Sequence, residues 1–257
     1  MIITPQAFLA VWRHLNNSEP PSVFQYRTEG MDELDVAVRR EQQLVEEIVP
    51  TLTDGQRAMF TVLATAKLKA RVLGLDETLG ENDQRGHTRV YSAGVASTGA
   101  VIAAQTPGTG GFGGNITVSG MQYAAWPKRL VEALPDSPGA GHIPAVYGFD
   151  DNFSSGNGTS IRVSATPDPV VRAKRAHMEA PSRTTGIIEV TLHDMGTAIP
   201  AQQVSLYYRD IDDDGRYALT QFGRDDLIPA DAATMTSLVS RCFSHVTQRF
   251  EDLADAY

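Results

Sequence analysis

The feature that most constrains this chain is the stripe carried by its last thirty residues. Met235, Leu238, Val239, Cys242, Phe243, Val246, Phe250 and Leu253 follow one another at intervals of one, three or four. That spacing is the inward face of an amphipathic helix, and Pro229 marks where the helical period takes over. Three segments of strand character come before it. Gly186-Ile-Ile-Glu-Val-Thr-Leu192 is β-branched and partly alternating, residues 203–209 alternate more cleanly, and residues 216–222 form a third. Between the last two, Asp212-Asp-Asp-Gly215 is turn chemistry, because Asp tolerates a left-handed backbone and Gly adopts one freely. Burying eight such side chains is worth roughly 1.5–3 kcal/mol each as an upper bound. No surface helix needs that much apolar area, so this one closes a core against the sheet formed by the strands before it.

Upstream, residues 7–14 suit a helix or a buried strand equally well. Pro20-Pro21 ends that segment, and residues 23–26 read as extended. Residues 31–49 are helical, with acids in the first turn where the helix dipole favours them, and Pro50 stops the helix. Thr53 or Asp54 caps a second helix that runs to about Ala66. Strand character follows at 68–72, 88–92 and 100–104, the last two joined by a turn at Ser97-Thr98-Gly99. A polar, acidic loop fills 76–86 and a glycine-rich one fills 106–114. A short extended piece at 115–118 and a helix ended by Pro135 complete this part. Residues 142–147 read as a further strand, 150–160 as a polar loop, and Pro167-Asp-Pro169 as the start of a helix reaching Met178. Residues 54–134 and 167–254 therefore share an order of elements. The reading is a single α+β domain over 1–257 with a central antiparallel sheet. Its two halves, about 1–138 and 139–257, stand in a quasi-two-fold arrangement, with helices gathered at two ends.

Composition narrows the function. A formal net charge of −9 over 257 residues, with no dense Lys/Arg cluster, argues against nucleic acid as a partner. One cysteine, Cys242 on the helix stripe, leaves no internal disulfide framework and fits a reducing compartment. Residues 1–5 lack the basic start and apolar stretch of a signal peptide. Residues 90–104, broken by Ser92, Ser97 and Thr98, are far short of a membrane-spanning helix, so no insertion is expected and the cytosol is the expected location.

Motifs for chemistry are weak. Gly108-Thr-Gly110-Gly-Phe-Gly113 matches G-x-G-x-x-G literally, but a strand-like piece follows where a dinucleotide site needs a helix. Asp210-Ile-Asp212-Asp-Asp214-Gly215 matches the first half of a calcium loop. Its twelfth position is Gln221 rather than a bidentate Glu, and it lies between strands. The six histidines show no H-E-x-x-H spacing, and no G-x-S-x-G elbow occurs. No catalytic residue, metal ligand or cofactor is expected.

Several phrases of the last third resemble the EspG family, chaperones of type VII (ESX) secretion: Thr185-Gly-Ile-Ile-Glu-Val190, Tyr207-Tyr-Arg-Asp210, Asp214-Gly-Arg-Tyr217 and Ile228-Pro-Ala-Asp231-Ala-Ala. The resemblance implies a quasi-symmetric sheet with two helical bundles and no enzymatic activity. It also implies a cytosolic chaperone that binds the exposed tip of the PPE protein in a PE–PPE heterodimer, keeps it soluble and delivers it for export. Contacts would come from the sheet, the loop between the second and third strands, and the C-terminal bundle. That loop spans 76–86 here, which singles out Asp76, Glu77, Glu81 and Asp83 as partner-binding candidates. Two other classes stay open: a hydrolase-like enzyme with dispersed residues, betrayed by a deep pocket of convergent titratable groups, and a self-associating scaffold. An open sheet edge also allows a homodimer.

Overall fold

The computed structural model describes residues 1–16, 18–26, 34–80, 83–108, 112–147, 169–193, 200–221 and 225–254. Nine strands make one sheet: β1 (Ile2–Ile3), β2 (Leu68–Asp76), β3 (His87–Val95), β4 (Gly99–Gln105), β5 (Ile116–Met121), β6 (Ser182–His193), β7 (Pro200–Ile211), β8 (Gly215–Gln221) and β9 (Asp225–Pro229). Their spatial order is β1-β5-β4-β3-β2-β6-β7-β8-β9. Every neighbouring pair is antiparallel. Outward from the central β2–β6 pair, each side passes through its strands in chain order, β3 to β5 one way and β7 to β9 the other. Among the described residues six helices flank the sheet: α1 (Pro5–Leu15), α2 (Leu34–Ile48), α3 (Asp54–Thr65), α4 (Trp126–Glu132), α5 (Pro169–Glu179) and α6 (Ala232–Ala254).

Local chemistry fixes the helix starts. Thr4 Oγ1 accepts the Ala7 amide at 3.3 Å and Pro5 occupies the first turn, so the ambiguous segment becomes a helix. Thr53 and Gln56 form a reciprocal capping box at α3, their side chains each accepting the other's backbone N–H. Asp231 Oδ1 accepts the Thr234 amide at 2.7 Å to start α6.

Alternation along the strands builds a core on each face. On one face, Leu68, Ala70 and Val72 of β2, Ile188 and Val190 of β6, and Val204 and Leu206 of β7 pack under Met235, Leu238, Val239, Cys242, Phe243 and Val246 of α6, with Trp126 and Leu130 of α4. Trp126 lies against Phe243, ring centroids 4.4 Å apart, and its indole N–H donates to Ser92 Oγ at 2.9 Å. The ring comes so close to β3 that a side chain at Gly94 would collide with it. Across the sheet, Phe8, Trp12, Phe60 and Leu63 of α1 and α3 cover Ala93, Val101, Ala103, Ile116 and Val118, with Leu44 of α2 in the same cluster. A smaller cluster of Val146, Ile211, Tyr217 and Leu227 lies on that second face, with Ala173 of α5 against it. The helices therefore form groups on opposite faces rather than at two ends, because both faces of the strands carry apolar residues.

Two local readings change. Residues just before Pro229, to which the sequence pattern assigns no element, form the edge strand β9. Residues 142–147 form a strap rather than a strand. Only Val146 pairs, exchanging both backbone bonds with Leu227 at 2.8 Å. The His142 amide goes instead to the Asp214 carboxylate and the Ile143 amide to the Tyr217 hydroxyl, both at 2.7 Å, and Pro144 has no donor to offer.

Arg216 ties the strap and the hairpin together. Its guanidinium donates to both Asp210 oxygens, at 2.6 and 2.8 Å, and to the Pro135 carbonyl at 2.9 Å, with both charged side chains almost fully buried. Removing one partner strands a charge in the interior, so Arg216→Met is expected to lower the unfolding free energy by about 3–5 kcal/mol in urea titrations.

Candidate partner-binding surface

Among the described residues, one part of the sheet lacks a helical cover. On the second face, α1–α3 lie over β3 to β5 and α5 lies over the β7–β8 side. Between them Arg71 and Leu73 of β2 and Gln203 and Tyr207 of β7 are exposed, Ile187 of β6 is partly so, and Glu189 is buried among them. Register arranges these residues in rows. Arg89, Leu73, Ile187, Tyr207 and Leu219 are consecutive opposite partners across β3, β2, β6, β7 and β8. Tyr91, Arg71, Glu189 and Ser205 form the next row. Opposite side chains stand roughly 4.5–5.5 Å apart, so each row is a continuous strip. Leu73 and Tyr207 remain 37% and 40% exposed, which makes the first row an apolar strip open to a partner.

The second row is polar and fixed. Arg71 Nε donates to Glu189 Oε2, while Gln203 Nε2 donates to Glu189 Oε1 at 2.9 Å, so both carboxylate oxygens are engaged. Tyr91 donates its hydroxyl to the Leu63 carbonyl at 3.3 Å, and burial raises its pKa. At the far border Arg209 donates to the His177 and Ala180 carbonyls at the end of α5, in the latter case at 2.6 Å. Beneath α5 the apolar row runs into a cleft of about 510 Å³ lined by His177, Ile187, Tyr207, Arg209, Tyr217 and Leu219. His177 is pushed down to about 4, first by burial and second by the neighbouring Arg209 charge, against a weaker opposing pull from Asp214.

The loop between β2 and β3 borders the same surface. Asp76 Oδ1 accepts the Thr78 amide and hydroxyl, an Asx turn that starts the loop. Glu77 accepts from the Ser182 and Thr185 hydroxyls, and its amide bonds to the Arg183 carbonyl at 2.8 Å, clamping the loop base to β6. Asp83 accepts the Arg85 amide and pairs with its guanidinium, which holds its carboxyl down near 2 although it is exposed. Glu81 lies outside the described residues. The three described candidates thus shape the loop. Of this surface, Ile187, Tyr207 and Arg209 fall within the phrases 185–190 and 207–210 that carry the family resemblance, whereas Leu73, Arg71 and Arg89 leave only the alternation of their strands as a trace in the sequence.

Among the described residues no three His, Cys, Asp or Glu side chains converge as a metal site. Asp210 and Asp214, from the calcium-loop-like segment, face Arg216 and the His142–Tyr217 pair respectively. The glycine-rich motif, of which residues 109–111 are not described, leads into β5 and not into a helix. No helix among the described residues is long and apolar enough to cross a membrane.

Sheet, flanking helical groups and an open central face together define an α+β protein. A profile of the EspG family matches residues 4–241, and the chain belongs to that family. Its fold is similar to that of the Mycobacterium tuberculosis type VII secretion system chaperone EspG5, solved in complex with a PE25–PPE41 dimer. The TM-score is 0.60 at 17% identity, over 95% of each chain. No curated protein sequence matches it.

The buried imidazole gives α5 a pH signature. The unfolded chain takes up a proton at His177 near 6.5, the folded chain only near 4. Unfolding free energy should therefore fall as pH drops through that window, and His177→Gln should flatten the fall in urea midpoints measured across it.

Proposed function

We propose that this chain is a chaperone of a type VII secretion system, that it works in the cytosol, and that it binds the exposed tip of the PPE protein in a PE–PPE dimer. The observation that carries this reading is the bare apolar row Leu73–Ile187–Tyr207, in a chain of the EspG family whose fold is similar to that of a chaperone captured with its PE–PPE client. An apolar helical tip in free solution is an aggregation site, and a rigid sheet face between two helical walls can cover it. The β2–β3 loop is proposed to close one side of the contact, with Asp76, Glu77, Glu81 and Asp83 contributing directly or through the shape they give the loop. The role is non-enzymatic: a broad surface without convergent titratable groups binds rather than transforms. The two halves, about 1–138 and 139–257, act in this reading as one domain, since β2 and β6 both supply the surface.

Co-expression with a PE–PPE pair encoded beside it is expected to give a stoichiometric complex by size exclusion with light scattering. Tyr207→Asp, which places a charge on the apolar row, should remove the complex while leaving the chaperone folded. Failure of the wild-type chain to hold any neighbouring PE–PPE pair would sink the reading.

A further inference from the structure

The open face has a charge of the wrong sign for the chain that carries it. The whole chain is formally −9, yet Lys69, Arg71 and Arg89 lie on the uncovered face of β2 and β3, where the neighbouring acid is Glu189. Glu189 is already held by Arg71 and Gln203, and the Lys69 ammonium donates to the Ala64 carbonyl at 3.2 Å.

Arg89 is the unusual member. It sits directly opposite Leu73 at the head of the apolar row and is half-buried. It makes no hydrogen bond, ion pair or ring contact with any described residue. A guanidinium does not give up its proton in a protein, so Arg89 bears the cost of partial desolvation as a cation with nothing returned. One step along the sheet, Arg71 uses only Nε, and its two terminal nitrogens have no partner among the described residues. Gln203 holds the Glu189 carboxylate that Arg71 Nε binds, and the Arg71 side chain stays 45% exposed beside the apolar row. Two planar donors, one held in orientation and one unpaired, suit a carboxylate arriving from outside.

We propose that Arg71 and Arg89 form a carboxylate-recognition edge, so that the partner seated on this face carries an acidic side chain next to its apolar tip. The proposal rests on the reading of this face as the PE–PPE docking surface. The apolar row supplies burial and the arginine edge sets register, and a tip without the acid leaves the Arg89 guanidinium further desolvated and unpaired.

The test is binding of the purified chain to its PE–PPE dimer, by calorimetry, from low to high sodium chloride. Wild-type affinity is expected to fall about tenfold across that range, and Arg89→Gln to lose roughly tenfold at low salt with a flattened salt dependence. Because Arg89 supports nothing inside the chain, Arg89→Gln should bind weakly without a lower melting temperature. Arg71→Gln should act in the same direction. Should it unfold by stranding Glu189, Arg89→Gln and the wild-type salt dependence decide alone. The arginine edge is overturned if Arg89→Gln matches wild type in affinity and salt slope while Tyr207→Asp abolishes binding, an outcome that leaves the docking surface standing. If Tyr207→Asp also binds like wild type, the docking surface itself is wrong and the edge goes with it.

Discussion

The β2–β6 ladder is the contact on which the rest of the molecule depends. It joins strands more than a hundred residues apart, from Leu68 opposite Leu192 to Asp76 opposite Thr184. Closing so long a loop is costly, and the cost is offset because Val72 and Ile188, paired at its middle, are fully buried under α6. Near one end Gly74 faces Gly186, and the Tyr208 ring from β7 lies over both in space that any side chain would fill. Three strands are thereby locked together at the seam by the absence of two side chains.

The bare surface is a consequence of that seam. Each half brings its own helices to the second face, α1–α3 to one side and α5 to the other, and neither set reaches the middle. On the first face α6 and α4 cross the seam and cover strands from both halves, Trp126 touching β3 while Phe243 stacks on it from α6. The same ladder is sealed from behind and open in front. On the outer side, the segment that links the halves is stitched to the β7–β8 hairpin by Asp214, Tyr217 and Arg216, three of the four residues in the Asp214-Gly-Arg-Tyr217 phrase. One short phrase thus makes a turn that also fastens the inter-half strap.

Periodicity made much of this legible. The α6 stripe, the hairpin turn with Asp213 at φ 56° and the alternation of β2, β3 and β4 all act locally, so they survive in the sequence. Strand β9 does not, because two acids and a terminal proline leave Leu227 and Ile228 too few neighbours to show a period. The α1 segment was ambiguous because Ala7, Phe8, Ala10, Val11 and Trp12 are all buried, which erases the one-sided pattern that distinguishes a helix. The surface was the least visible part. Alternation shows that Arg71, Leu73 and Leu75 share a face, but whether a helix covers that face depends on where distant segments end. The acidic loop at 76–86 stands out by composition, and of its described carboxylates Asp76 and Asp83 shape the loop while Glu77 clamps its base to β6.

An apolar strip left open is a liability as well as a tool, and the second row answers it. Exposed apolar patches become hazardous when they are contiguous over several hundred Å². Leu73, Ile187 and Tyr207 are bounded on one side by Arg71, Glu189 and Ser205, one row away on the same strands, and at the β3 end by Arg89. A second copy of this chain approaching face to face would set arginine against arginine, which disfavours self-stacking. A partner with the opposite charge meets no such penalty. The polar row therefore keeps the strip narrow and gives it a preference among partners, and both effects follow from placing Arg71 and Glu189 opposite each other on the central ladder.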